Sequence, residues 1–411
     1  MSKGLKITTI VIVVIAVVTV VLALAVRSIM TSARVRGIIV ERIEKRVGAD
    51  IDVGGVSTSF PFGMDIDLRD VGFRKVDRKG KSIEFASDVV AVHPSIISII
   101  RKKPELSSFV VKNGIVLYSS PKSNMRLIGL DLTGSLGLDE NGKGRSVFSM
   151  KADSMTIDKS PVSVIDVEVA GSFADRKDLL TMSRIGFGIA GGRAGGSGSV
   201  GISKEGNLKV STNMLVVGMK SMELAKIFPS IAVVFDGLFD VEAKSTFVVD
   251  DEGEVVLPSI DSNGNVHSSG GEMDVSSALS ELERLAPEIY SFLKRASYDD
   301  FSMDFTIKKG WVKTQDWQIT SSKGDWLVRG GFSLRGLLDY SARLTIPPDV
   351  QKGMDTGKYG DVLNLLKDKN GNLVLDFQIR GDMKRPRVSL DLENVKVKAA
   401  GDLFENIMKN F

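Results

Sequence analysis

Residues 371–392 read GNLVLDFQIRGDMKRPRVSLDL, and the reading of this stretch decides the fold. Leu373, Leu375, Phe377 and Ile379 alternate with Val374, Asp376, Gln378 and Arg380, and Val388, Leu390 and Leu392 follow the same rule. A period of two sends alternate side chains to opposite faces, so the stretch predicts strands with one apolar and one wet face. The pattern continues towards the N-terminus. Leu338, Tyr340, Ala342, Leu344 and Ile346 alternate with Asp339, Ser341, Arg343 and Thr345. Trp326, Val328, Phe332 and Leu334 mark one side of the preceding strand, and Phe301, Met303, Phe305 and Ile307 one side of an earlier one. One-sided strands joined by short turns, as at Arg335-Gly336, predict an antiparallel meander.

The middle of the chain carries the same signal more weakly. Ile185, Phe187 and Ile189 alternate with glycines ahead of GGRAGGSGSVG at 191–201. That run lacks the GK[ST] ending of a phosphate loop and reads as a flexible turn or a kinked strand. Helical insertions are expected at Ser95–Lys103, Ser221–Phe228 and Val275–Ala296. In the last, Leu279, Leu282, Leu285, Ile289 and Leu293 recur at helical spacing, with Pro287 as a break or kink. The stretch SNGNVHSSGG at 262–271 reads as a polar turn that holds His267 in solvent.

The two ends differ from this β body. Residues 7–26, ITTIVIVVIAVVTVVLALAV, contain no charge. Twenty residues at helical rise span about 30 Å, the hydrocarbon thickness of a bilayer, so one transmembrane helix is expected there, after a cytoplasmic tail at 1–6. A cleaved signal peptide ending near Ala23-Leu24-Ala25 is the alternative. Residues 27–50 continue as an amphipathic linker helix with Val35, Ile38, Ile39, Ile43 and Val47 on one face and Gly48 as a stop. Arg27, Arg34, Arg36, Arg42, Lys45 and Arg46 outnumber Lys3 and Lys6, and a simple positive-inside count places the large domain, 51–398, in the cytoplasm. At the other end, residues 399–411 set Leu403, Phe404, Ile407 and Phe411 on one side of a helix. That helix either covers a sheet edge or touches a second membrane or a partner protein.

Composition narrows the chemistry. The 411 residues hold 54 Lys+Arg and 51 Asp+Glu, and without Lys3 and Lys6 the balance is 52 against 51, which gives no electrostatic reason to expect a nucleic-acid partner. Cysteine is absent, so disulfides, thiolate metal sites and a Cys nucleophile are excluded. His93 and His267 are the only histidines, and neither lies in a motif that activates a nucleophile. His93, before Pro94, reads as structural. Asp250-Asp251-Glu252 lacks the spaced ligands of a calcium loop and reads as an exposed acidic turn. Trp311, Trp317 and Trp326 cluster in one hairpin region, as core packing or as a ligand or membrane contact. No catalytic, cofactor or metal site emerges, and no enzyme is expected.

Two regions carry a family resemblance. RIEKRVGADIDVGGVSTSFPFGMDIDLRDVGFRK at 42–75 and DVVAVHPSIISIIRKKPELSSFVVKNGIVLY at 88–118 resemble the N-terminal region of AsmA-like proteins. FTIKKGWVKTQDWQITSSKGDWLVRGGFSLRGLLDYSARLTIP at 305–347, with LVLDFQIRGDMKRPRVSLDL, is similar to the C-terminal repeat of that family, marked by Gly310, Gly330-Gly331, Gly381 and Pro386. The likeness covers roughly 1–120 and 300–392 and is only generically β between them. The AsmA-like family includes bridge-like lipid-transfer proteins of the AsmA/TamB/YhdP type. The resemblance implies a single-pass inner-membrane anchor and a mainly β domain in the periplasm of a Gram-negative-type envelope. That domain is an elongated, curved, taco-like antiparallel groove with short helical insertions, binding phospholipid for transport between inner and outer membrane. On that reading Leu338, Tyr340, Leu344, Leu373, Leu375, Phe377, Ile379, Val388 and Leu390 line the groove, and no cofactor is needed. The alternative for the same nine residues is a closed dry core. The alternative function is a scaffold or assembly factor for outer-membrane proteins.

Overall fold

The structure, a computed structural model, describes residues 50–58, 65–76, 80–94, 106–120, 124–138, 144–157, 163–174, 179–202, 207–223, 235–250, 255–276, 279, 283, 287–354, 363–364, 366–383 and 385–390. The expected membrane helix at 7–26, nearly all of the linker helix at 27–50, the helix at Ser95–Lys103 and the terminal helix at 399–411 lie outside the described residues. No helix among the described residues is long and apolar enough to cross a membrane. The described chain is mainly β, with 19 strands in one antiparallel sheet and few helical turns. It divides into two compact units: Met1–Ile189 with Arg193–Met214 and Thr246–Val256, and Ala190–Gly192 with Leu215–Ser245 and Leu257–Phe411.

In the first unit, strands β1 (Asp50–Thr58), β2 (Ile66–Val76), β3 (Ser82–Pro94), β4 (Leu106–Ser119), β5 (Asn124–Leu138), β6 (Gly144–Ile157), β7 (Val164–Ala174) and β8 (Leu179–Ile189) each pair antiparallel with the next. Directly opposed residues share a face. The register therefore builds rows across the sheet. One row runs Leu68, Val90, Val111, Leu132, Met150, Val169, Ile185. Another runs Ile51, Phe73, Phe85, Val116, Leu127, Met155, Val164. The opposite face is charged, with Lys151 and Arg184 flanking Glu168 at 2.9 and 3.4 Å and Arg74 paired to Glu84 at 3.1 Å. The Glu168 carboxyl is held below its ordinary range, first by the Lys151 hydrogen bond and then by the charges of Lys151, Arg184 and Arg193.

A line of irregular residues crosses these strands. Asp70, Asn113, Gly129 and Asp166 all have positive φ, a conformation that Asp, Asn and Gly tolerate better than other residues. The pairing shifts register at Asn113, Gly129 and Asp166, where a bulge bends a strand and strengthens its twist, while at Asp70 one pair drops out of the ladder and the register is kept. Neighbouring strands supply side chains to the bulges. The Asn113 backbone N–H donates to Asp131 Oδ1 at 2.9 Å, and its Nδ2 donates to Asp88 Oδ2 at 2.6 Å. A Cβ on Gly129 would collide with the Asp153 carboxylate.

Strands β9 (Gly192–Ile202), β10 (Leu208–Lys220) and β11 (Phe235–Val249) follow. The glycine-rich run is thus strand, entered by a two-residue turn at Ala190-Gly191 that has positive φ at both positions, the geometry tight hairpins favour. Of the helix expected at Ser221–Phe228, residues 221–223 are helical and 224–228 lie outside the described residues.

The second unit contains β12 (Asp261–Asp274), α1 (Pro287–Leu293), β13 (Arg295–Tyr298), β14 (Phe301–Lys308), β15 (Trp311–Ser321), β16 (Gly324–Ser333), β17 (Leu337–Ile346), the short α2 (Pro348–Gln351), β18 (Leu373–Asp382) and β19 (Arg385–Leu390). From β14 to β19 the strands form the meander read from the sequence. β12 pairs with β14 along one stretch and with the short β13 along another. Three expectations change. SNGNVHSSGG is not a turn but the body of β12, with His267 opposite Ser302, because ladder pairing overrides the turn propensity of its Ser, Asn and Gly. The helix over Val275–Ala296 ends at Leu293, and Ala296 lies on β13 opposite Met273. Pro287 stands at the start of α1, a first-turn position that needs no N–H donor, and Glu283 before it is also helical, with 284–286 outside the described residues. Leu334 sits in the turn after β16 and not on the strand.

Candidate functional site

The site is one face of the sheet, and register shows which side chains share it. In the second unit Leu344 opposes Leu375, Tyr340 opposes Ile379, and Leu373 opposes Ile346. Phe377 opposes Leu390, and Ile379 opposes Val388. With Leu338, which opposes Gly381, all nine predicted residues fall on one face. The other face holds aligned ion pairs, such as the two-pronged Arg343–Asp376 contact at 2.7 and 3.0 Å and Arg380–Asp339 at 3.3 Å.

Burial divides the nine. Leu344 and Leu373 are 0% exposed, and Leu375, Phe377 and Val388 are also buried. They pack in one core with Leu279, with Ile289 and Leu293 of α1, and with Met354 and Leu363. Ile379 and Leu390 lie half-buried against that core, while Leu338 and Tyr340 are half-buried outside it. Five of the nine therefore sit in a dry layer under the helical segments. The predicted membrane-contact residues Leu403, Phe404, Ile407 and Phe411 lie outside the described residues.

Aromatic rings fill the same face. Trp317 stacks on Phe301 with centroids 5.7 Å apart, and Trp326 stacks on Phe377 at 6.0 Å. A bulge between Thr314 and Trp317 turns Trp317 inward, while Trp311 on the same strand stays exposed. Tyr298 and Tyr340 are pushed above the usual phenol range by burial, and each keeps a hydroxyl partner, Ser268 at 3.0 Å and Thr314 respectively. The Nε1 atoms of Trp317 and Trp326 and Oε2 of Glu288 on α1 are buried with no hydrogen-bond partner. Such a group costs about 1–3 kcal/mol relative to a paired one.

The first unit presents a longer apolar face. Among its described residues one buried cluster joins Ile51, Val53, Ile66, Leu68, Val90, Val92 and Val111, from β1 to β4, and Phe109, Leu130, Ala152 and Val167 are buried besides. Beyond that cluster, Leu127, Phe148, Met150, Met155, Val169, Met182, Ile185 and Phe187 continue the apolar side on β5 to β8 as half-buried residues. Every regular element among the described residues of this unit is a strand, so no described helix covers them. Sequence reasoning marked only Ile185 and Phe187 among them, as part of an alternating strand, because the bulges hide the rest. On β5 the inward set changes from Met125 and Leu127 to Leu130 and Leu132 across Gly129, and on β7 from Val164 to Val167 and Val169 across Asp166. A strict period of two misses a face that changes parity in mid-strand.

An open hollow of about 370 Å³ lies at one end of β1 to β4, lined by Ile51, Phe73 and Phe85 and rimmed by Arg74 and Glu84. His93 Nδ1 lies 2.6 Å from Asp65 Oδ1 at the opposite strand ends, a pairing that ties β3 to the start of β2. Among the described residues, no group of three or more His, Asp or Glu side chains is placed to hold a metal ion. A scan against protein-family models finds no match, and searches of curated proteins and of solved structures find none either.

Proposed function

We propose that this chain is a membrane-anchored lipid carrier whose apolar sheet face shelters the acyl chains of phospholipids and helps move them between inner and outer membranes. The observation that carries the reading is the apolar face of the first unit, which continues over β5 to β8 as half-buried residues beyond the buried cluster of β1 to β4. Energetics supports a hydrocarbon occupant. A phospholipid holds about 30 methylenes, and exposing them to water at about 0.8 kcal/mol each costs on the order of 25 kcal/mol. A surface of Leu, Met, Val, Ile and Phe offsets most of that cost and leaves the headgroup in water. Methionine suits the task because its unbranched side chain adapts to chains of different shape.

The resemblance to AsmA-like proteins supports the same reading, with residues 7–26 as an inner-membrane anchor and the sheet in the periplasm as an elongated, curved groove. Long domains translocate largely regardless of flanking charge, so the basic residues after the span do not forbid this orientation. No enzymatic step is required.

Crosslinking tests the reading by face. Met150 lies on the apolar row and Lys151 on the charged one. A photoreactive amino acid at position 150 of the full chain is expected to capture phospholipid in cells, and the same group at 151 is not. Equal capture from both positions, or protein captured from 150, refutes a lipid-bearing face. The second outcome favours a scaffold for outer-membrane proteins.

A further inference from the structure

We propose that one hairpin edge of the second unit docks on the surface of an anionic phospholipid bilayer. Three successive turns build the edge: Lys309-Gly310 between β14 and β15, residues 334–336 between β16 and β17, and Met383-Lys384 between β18 and β19. The turns are joined side by side. The Leu334 N–H donates to the Gly310 carbonyl at 2.8 Å, and the Met383 N–H donates to the Gly336 carbonyl at 2.7 Å. Strand register places the neighbouring side chains. Trp311 opposes Lys308 on one side and Ser333 on the other, and Leu337 opposes Asp382. The β16–β17 register, continued by one pair, sets Ser333 beside Leu337, whose N–H donates to Ser333 Oγ at 2.9 Å. Trp311 and Leu337 therefore flank Ser333 on one face, about 10 Å apart at two strand spacings. Trp311 is 40% exposed and Leu337 52%.

Charge identifies the partner. At these turns and the strand ends beside them, Lys308, Lys309, Arg335, Lys384 and Arg385 stand against Asp261 and Asp382. Further along the same face cations are paired, as Arg343 is with Asp376 and Arg329 with Asp316, both at 2.7 Å. Lys308, Lys309 and Arg335 form no ion pair among the described residues. An exposed indole and leucine among unpaired lysines match a protein partner poorly, because protein interfaces are depleted of lysine. They match the bilayer interface, where Trp rests at the headgroup level and Lys and Arg meet anionic lipid. The opposite edge offers no such match, since its turns Asp299-Asp300 and Ser322-Lys323 are acidic on balance. Docking here does not depend on the lipid-carrier reading, but gives a carrier a place to receive or deliver lipid.

The test reconstitutes the full chain in nanodiscs of phosphatidylcholine and mixes them with vesicles of phosphatidylcholine, with or without phosphatidylglycerol, reading bound vesicles by flotation. Binding is expected to the vesicles that contain phosphatidylglycerol, and to weaken as salt screens the edge. Lys309→Asn with Arg335→Gln is expected to lower affinity about 25-fold, at about fivefold for each cation removed. Asn tolerates the positive φ of position 309. Trp311→Ala with Leu337→Ala is expected to lower affinity about tenfold, at high salt as well as low. All four side chains are exposed, so circular dichroism is expected to be unchanged in both variants. Equal binding to the two kinds of vesicle, no binding, or variants that bind as the native chain does overturns the docking edge. The lipid-carrier reading then still stands or falls by the crosslink at Met150. Capture of protein and no phospholipid by a photoreactive group at position 337 in cells also overturns the docking edge.

Discussion

Leu344→Ala tests where the second unit is closed. Leu344 is 0% exposed, opposes Leu375 and Trp326, and packs in the core that includes α1. Truncation removes part of a fully buried side chain and leaves a cavity whose walls hold Leu375, at 2% exposure, and Trp326. Fully buried Leu→Ala changes cost about 3–5 kcal/mol, a large part of the 5–15 kcal/mol typical of a whole domain. Leu338 is the internal control. It shares the strand and the face but is half-buried outside the core, so Leu338→Ala is expected to cost about 1 kcal/mol. Urea unfolding followed by tryptophan emission reports both, because Trp317 and Trp326 lie in the same unit. The expected difference is at least about 2 kcal/mol. Equal costs, or a Leu344→Ala cost near that of the control, refute the assignment of this part of the face to a closed core.

Other consequences follow from the same geometry. Met150→Asp combined with Ile185→Asp places two carboxylates on the half-buried face of the first unit, and is expected to abolish lipid carriage with little change in circular dichroism or melting temperature. Leu375→Asp with Phe377→Asp is expected instead to unfold the second unit, seen as lost near-ultraviolet dichroism, because both side chains are buried in its core. Asp131→Ala removes the carboxylate that accepts the Asn113 N–H, and is expected to lower stability by about 1–2 kcal/mol in thermal unfolding, whereas Asn113→Gly keeps the positive φ and costs less. Burial opposes charge on Asp274, but hydrogen bonds from Ser276 and Arg295 prevail and hold its pKa below the ordinary 3.8. Its contribution is therefore complete above about pH 4 and is lost as pH falls through the depressed folded value. Asp274→Asn is expected to flatten that part of the acid-unfolding curve.

The C-terminal meander was legible because its alternation runs unbroken: Leu338 to Ile346 and Leu373 to Ile379 keep one parity and oppose one another in the predicted sense. The nine candidate residues were placed on one face for the same reason. Their burial was not legible, since it depends on Leu279, Ile289, Met354 and Leu363 folding back over the face from outside the strands. β12 escaped because Gly264, Gly270 and Gly271 allow close approach of neighbouring backbone and aromatic groups, a tertiary reason for a turn-like composition. Most of the apolar face of the first unit escaped because its strands change parity at Asp70, Asn113, Gly129 and Asp166. The unpaired indoles of Trp317 and Trp326 appear only when every donor on the face is matched to its acceptor.

The most direct test of the central claim is native mass spectrometry with lipid extraction on the full chain, purified from membranes in mild detergent. The account predicts phospholipid bound at one or more molecules per chain, and its loss in the Met150→Asp, Ile185→Asp variant that retains the fold. A folded native chain that carries no lipid, or a variant that carries as much as the native chain, contradicts it.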